Sequence, residues 1–387
     1  MIISLTIFNL MFPVIGLIIF ILLFFMLVKN YKLIVFNIIY SISFLSGVFR
    51  SLDGKGDVNR YILYNNNYKN FDSILEVLNE PTLFYTFSWS IVNYLVNKYE
   101  ISFYLVNFLS IMVIGICLYK ILEIFKIEKK YKRLLFLKFF MIFSFPVLFS
   151  SYRNLLSFSI IAVGIFLDMK ENKKGIIFII LGLGFHLAGL PIVIIYFFSR
   201  RFQFKQIYLY SSFFIMIILF NSLFKNFVYK ILSDFNNPVI KKISYYLFGE
   251  WAKYKIFFQG DIITYYLLIV ILFFLFISYK KILNIKVSNI LLRRYNNFIL
   301  IYIAIFLIFL PYRTIAIRFY ITGFPFFIPL FYQMLKYYSN NYLYKYTFIF
   351  LLFDVRWLVL FFLDDIIFGK GFPNVIFQNL ISEILRL

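Results

Sequence analysis

RSLDGKGDVNRYILYNNNYKNFDSILEVLNEP, residues Arg50–Pro81, is a polar island between two apolar blocks. Arg50, Lys55, Arg60 and Lys69 are set among Asp53, Asp57, Asp72, Glu76 and Glu80. Five of the chain's 17 acidic residues thus fall within 32 positions. The runs on either side are too apolar to meet water, so the segment reads as a loop held at a membrane surface. The rest of the chain then reads as a scaffold that presents this loop, and a few buried charges, to a substrate at that surface.

Composition sets the class around this loop. The 387 residues are 63% hydrophobic and 14% charged, against about 25% charged in a soluble domain. Mean hydropathy is +0.88. Several windows exceed the roughly 20 apolar residues that cross a bilayer. The sequence predicts an all-α polytopic integral membrane protein, one membrane domain over residues 1–387 with no soluble domain.

The formal charge of +22 does not point to nucleic acid. Basic residues sit in short gaps between apolar runs: Lys29 and Lys32, Lys120 to Arg133, Lys170 to Lys174, Arg200 to Lys205, Lys280 to Arg294, Lys336 and Lys345. This is the positive-inside pattern, which sets topology. The lone Cys117 lies in an apolar run, so neither an intrachain disulfide nor a cysteine-rich metal site is expected. Residues 1–28 lack a basic leader and are long enough to span, so they read as a helix and not as a cleavable signal.

Counting crossings by the basic gaps gives the topology. Spans are expected over about 2–28, 33–49, 101–119, 134–150, 154–169, 206–229, 261–279, 296–310, 314–335 and 343–363. The second delivers outer loop 1 (about 50–81), and the sixth delivers outer loop 2 (about 230–260). Two short elements complete the count. Residues 82–97 carry Ser88, Ser90 and Asn93, and a full crossing there would put Lys120 to Arg133 on the wrong side. They are expected to form a half-inserted helix. Residues 175–198 are apolar but basic at both flanks, and their middle reads GLGFHLAGLP. A broken helical hairpin turning near His186 satisfies both the charge rule and the Gly and Pro content. Non-helical backbone at that depth must be covered by protein or line a watery cavity.

On this topology the distinctive polar residues share one face: Arg50, Asp57, Arg60, Glu80, Arg153, His186, Arg313 and Arg318. Arginine within apolar sequence is expensive and marks function by default. Its forked, permanently charged guanidinium matches a phosphate. The competing reading of Arg153 and Arg318 is snorkelling to headgroups; that of His186 is a packed ring bonded to backbone; that of Asp57 and Glu80 is solvated loop acids. The sequence has no HExxH, Cys/His cluster, Gly-rich phosphate loop or DxD, so no metal and no cofactor are expected. Nucleotide donors are cytoplasmic, so a lipid-linked substrate fits an outer site better.

Taken in order, these residues resemble the EpsG-like group of Wzy-type polysaccharide polymerases. The resemblance rests on Arg50, then Gly56-Asp57-Val58-Asn59-Arg60-Tyr61, then Glu80-Pro81 in the first outer loop. Val58 stands where that pattern has tyrosine. An arginine opening a later helix and a following FH pair are matched by Arg153 and Phe185-His186, and the arginine helix near the C-terminus by Arg318. The resemblance implies joining of undecaprenyl-pyrophosphate-linked oligosaccharide units at the outer face of the bacterial inner membrane, for O-antigen, capsule or exopolysaccharide. It implies Asp57, Glu80 or His186 as base, and Arg50, Arg60, Tyr61, Arg153, Arg313 and Arg318 on pyrophosphate or sugar. The lipid bilayer, a chain-length regulator and a flippase are the partners implied, with no nucleic acid. A lipid-linked oligosaccharide flippase and an O-antigen ligase are the alternative readings.

Overall fold

The computed structural model describes residues 2–25, 31–48, 65–80, 83, 86–129, 131–133, 135–136, 145–220, 227, 229–231, 290–309, 319 and 323–337. Among the described residues all regular structure is helical. Among the described residues three helices are long and apolar enough to cross a membrane: Leu105–Ile124, Tyr152–Met169 and Ile290–Ile308. The chain divides into two compact units, Met1–Leu167 with Lys173–Gly189 and Met334–Leu387, and Asp168–Asn172 with Leu190–Gln333.

In the first unit, the helix expected over 2–28 is interrupted. It is observed as α1 (Ile2–Met11) and α2 (Pro13–Phe25). Pro13 has no N–H to give the Asn9 carbonyl, so the helix breaks there, although Phe12 N–H still donates to Phe8 O and Gly16 N–H to Phe12 O. The Asn9 side chain turns to α3 (Tyr31–Val48). Its Nδ2 donates to Asn37 Oδ1 at 2.9 Å, and Ser41 Oγ donates to its Oδ1 at 2.8 Å. All three are fully buried, and their mutual bonds make that burial tolerable. A Cβ on Gly16 would lie 1.8 Å from Asn9 Oδ1, so this packing admits only glycine.

Farther along come α4 (Ile74–Asn79), α5 (Phe87–Lys98) and α6 (Phe103–Ile124). The α6 helix packs on α3 and runs on through Lys120 and Glu123, which sequence reading had put in the following basic gap. Two spans meeting near 150–154 were expected, but Phe145–Met169 is one helix of 25 residues, α7. Pro146 in its first turn is a helix-start signal. The polar run Ser150 to Asn154 that read as a turn lies within the helix, and Arg153 from it donates to Phe185 O. A boundary between two spans would have to precede Phe145.

The second unit contains α9 (Leu190–Arg201), α10 (Gln206–Phe220), α11 (Ile290–Ile308) and most of α12 (Phe324–Tyr337). The α11 helix starts at Ile290, six residues before the expected Asn296, and packs on both α9 and α10. Its first turns are tied by polar side chains. Arg294 donates to Met169 O and to the Glu171 carboxylate, each at 2.9 Å. Asn297 donates to Ser199 O at 2.6 Å and Phe202 O at 2.8 Å, and accepts from Phe204 N–H. Deeper in, Phe298, Tyr302 and Phe326 meet in a buried aromatic cluster, the first edge-on to the other two, and the buried Tyr295 donates its hydroxyl to Phe326 O at 2.8 Å.

Candidate functional site

The site is built where a helix stops in apolar surroundings. From Gly175 the chain forms α8 (Gly175–Phe185), then His186 in extended conformation, then a short 3-10 turn, Leu187–Gly189. The break expected near His186 is present. A helix end leaves its last carbonyls without intrahelical donors, and in apolar surroundings each must find another.

Side chains from two neighbouring helices supply those donors. Ser88 Oγ, on α5, donates to Leu181 O at 3.0 Å. Ser157 Oγ, on α7, is shared between Gly182 O at 2.7 Å and His186 O at 3.2 Å. Arg153 Nε, also on α7, donates to Phe185 O at 2.8 Å. Arg153 and Ser157 are one helical turn apart and so share a face. The guanidinium also offsets the negative end of the α8 dipole.

Three glycines let these helices come so close. A Cβ on Gly182 would lie 2.5 Å from Ile161 Cγ1, and one on Gly184 would lie 2.3 Å from Ser88 Oγ. At Gly164, the same atom would meet Gly175 O at 2.7 Å and Ile179 N at 2.8 Å. Sequence reading took the GLG run as helix-weakening. In the structure Gly182 and Gly184 stay helical and provide close approach; the interruption itself falls at His186.

Arg153 is held on a second side by Trp89 of α5. The guanidinium carbon lies 5.1 Å from the ring centroid, within cation–π range. Trp89 is buried and meets Tyr152 edge-on at 6.0 Å. With Nε bonded to Phe185, the forked Nη1 and Nη2 groups carry the other four N–H donors.

The His186 ring is also fixed. Its Nδ1 accepts a hydrogen bond from Ala188 N–H at 3.0 Å, so the ring caps the 3-10 turn. Two buried amides stand near in sequence to the site-forming residues, Asn93 on α5 and Asn154 on α7. Their Oδ1 atoms have no hydrogen-bond partner among the described residues, an arrangement that native structures rarely leave in place.

The opposite side of α5 carries residues 65–80, the end of the stretch expected as outer loop 1. Tyr94 hydroxyl donates to Asp72 O at 2.8 Å, Asn97 Nδ2 to Asn65 O at 2.7 Å, and Tyr68 hydroxyl to Ser90 Oγ at 3.3 Å. Tyr68, Val77 and Tyr94 form a small apolar core with Phe71 and Ile74 around it. Lys98 Nζ donates to Tyr94 at 2.9 Å, and that bond raises the lysine's pKa above its ordinary value. The α4 start is a capping box: Ser73 Oγ accepts from Glu76 N–H, and Glu76 Oε2 accepts from Asp72 N–H. Glu76 is therefore a structural acid. Glu80 ends α4 with φ −73° and ψ 113°, the extended geometry demanded of a residue before proline.

Of the residues named from sequence, Arg153 and His186 are brought together, and Glu80 lies at the end of the docked loop. Arg50, Asp57, Arg60, Tyr61, Arg313 and Arg318 lie outside the described residues, as does most of outer loop 2. Sequence reading missed Trp89, Ser88 and Ser157. Ser157 had a signal, its spacing from Arg153; Trp89 had none, because its contact is long-range.

The model of the EpsG family matches residues 54–368. No curated protein and no solved structure matches the chain. The matched span includes Asp57, Arg60, Tyr61, Glu80, Arg153, His186, Arg313 and Arg318, and leaves out Arg50.

Proposed function

The chain belongs to the EpsG family, and from that premise we propose that it is a membrane polymerase of lipid-linked saccharides. Its substrates are undecaprenyl-pyrophosphate-linked oligosaccharide repeat units at the outer face of the bacterial inner membrane. The observation that carries the reading is the Arg153 guanidinium, held between the Trp89 face and the Phe185 carbonyl beside His186. A cation placed before the substrate arrives stabilises charge as it develops.

The reaction asks for that charge. The terminal hydroxyl oxygen of one repeat attacks the anomeric carbon of the lipid-linked chain. A carbon–oxygen bond forms there, and the bond from that carbon to the pyrophosphate oxygen breaks with its electron pair left on the pyrophosphate. The hydroxyl proton passes to a base. Arg153 is assigned to the leaving pyrophosphate, with Arg50, Arg60, Arg313, Arg318 and Tyr61 as further binding groups. Asp57, Glu80 and His186 are the candidates for the base. Docking of residues 65–80 on α5 supports a role for the loop, since the opposite side of the same helix braces Arg153.

A deletion strain tests this reading. Accumulated single repeats on the outer leaflet are expected. Repeats retained on the cytoplasmic leaflet would identify a flippase, and full-length polymer never passed to lipid A-core would identify a ligase.

A further inference from the structure

We propose that Asn97 and Tyr94 are positioning residues for Arg153: they lock α5 to residues 65–80, and α5 in turn holds the Trp89 face against the guanidinium. Their role in turnover rests on the polymerase reading above, but the coupling of loop to arginine does not. With 12 residues, α5 is about 18 Å long, well short of the roughly 30 Å apolar core of a bilayer. So short a helix is not fixed in place by spanning. Its lateral partners set its position.

Those partners form two groups within the first unit. Towards α7 and α8, Ser88 Oγ donates to Leu181 O, and Trp89 meets Tyr152 and Arg153. Towards the loop, Asn97 Nδ2 donates to Asn65 O at 2.7 Å, Tyr94 hydroxyl to Asp72 O at 2.8 Å, and Tyr68 hydroxyl to Ser90 Oγ at 3.3 Å. Ser90 Oγ itself donates to Leu83 O at 3.0 Å. The two groups meet at consecutive residues, for Trp89 faces the arginine and Ser90 takes the loop. A regular helix of this length moves as one rigid element, so loss of the loop bonds displaces Ser88 and Trp89 together. Contact with α8 leaves no slack, since a Cβ on Gly184 would lie 2.3 Å from Ser88 Oγ. The docked stretch follows Asp57 in sequence and ends on Glu80. The loop that bears the two candidate carboxylates thus orients the charge assigned to the leaving group.

The chain has three tryptophans, so protein labelled with 5-fluorotryptophan gives three fluorine-19 resonances, and Trp89→Phe identifies the one from Trp89. Arg153→Ala marks where that resonance lies without the guanidinium. Asn97→Ala and Tyr94→Phe should each move it towards that position and leave the other two in place. A Trp89 resonance unmoved by both variants would overturn the coupling, and so would equal movement of all three. Tyr94→Phe keeps the buried ring and removes only the hydroxyl, so it carries the test if Asn97→Ala fails to insert. In turnover, each variant should lose on the order of 2- to 10-fold, the worth of a neutral hydrogen bond. Added to Trp89→Leu, neither should lower turnover further, because both act through that ring. Losses that multiply would give the two residues a purpose apart from Trp89 and contradict the proposal. A Trp89 resonance that follows the loop variants, in a protein that never lengthens a saccharide, would defeat the polymerase reading and leave the coupling standing.

Discussion

The Arg153 guanidinium lies over the Trp89 ring at 5.1 Å while its Nε donates to the Phe185 carbonyl. One contact comes from α5 and the other from α8, so the charge is oriented by two elements distant in sequence. Trp89→Phe keeps a weaker π face and Trp89→Leu keeps none. Loss of the cation–π contact is worth about 0.5–2 kcal/mol. Turnover should fall in the order Trp, Phe, Leu, and equal turnover of the two variants would show that the ring merely fills space.

Arg153→Lys should fail nearly as badly as Arg153→Ala. A lysine ammonium cannot span both the Phe185 carbonyl and a forked phosphate contact. Removing one donor aimed at developing charge costs about 2–4 kcal/mol of transition-state stabilisation. Normal polymer from correctly inserted Arg153→Ala protein would take Arg153 out of the site.

The glycines separate close packing from flexibility. At Gly164 an added Cβ meets backbone, Gly175 O at 2.7 Å and Ile179 N at 2.8 Å. At Gly189 it meets Ile161 Cδ1 at 2.2 Å, the far end of a side chain that can rotate away. Gly164→Ala should therefore destabilise by about 1–3 kcal/mol, the usual range for overpacking, and Gly189→Ala by less. Thermal unfolding in detergent checks the order, and equal losses would contradict the packing account.

Much of this arrangement could be read from the chain, for physical reasons that differ by element. The stop at His186 was legible because basic flanks and a Gly/Pro-rich middle allow few other solutions. A short helix within 82–97 was legible from the charge rule and from Ser88, Ser90 and Asn93; it is observed at Phe87–Lys98. The continuity of α7 was not. Ser150 to Asn154 looks like a turn until Ser157 and Arg153 are seen serving carbonyls of α8. Local composition cannot announce partners so far away. The Ser73–Glu76 capping box was written in the sequence, and it removes Glu76 from the list of acids open to chemistry.

The hairpin reading makes a topological prediction. Within the first unit, Gly175 at the start of α8 packs at Gly164 of α7. Within the second, Arg200 near the end of α9 pairs with Asp168 at 3.2 Å, and Tyr196 hydroxyl bonds the same carboxylate. In a Cys117→Ser background, Asn172→Cys and Gln203→Cys should be labelled by impermeant reagent from the same side of the membrane. Labelling from opposite sides would make residues 175–201 a single crossing.

Asp57 is the carboxylate most exposed to test. As a base, Asp57→Asn should lose nearly all turnover while still binding the lipid-linked repeat. Near-normal turnover would leave Glu80 and His186 as the remaining candidates.

The most direct measurement is single turnover by purified protein in a bilayer with one defined lipid-linked repeat unit. The account predicts a lipid-linked dimer and free undecaprenyl pyrophosphate in equal amounts, both lost in Arg153→Ala. A repeat unit that crosses the bilayer, or stays where it is, without any new glycosidic bond would contradict it.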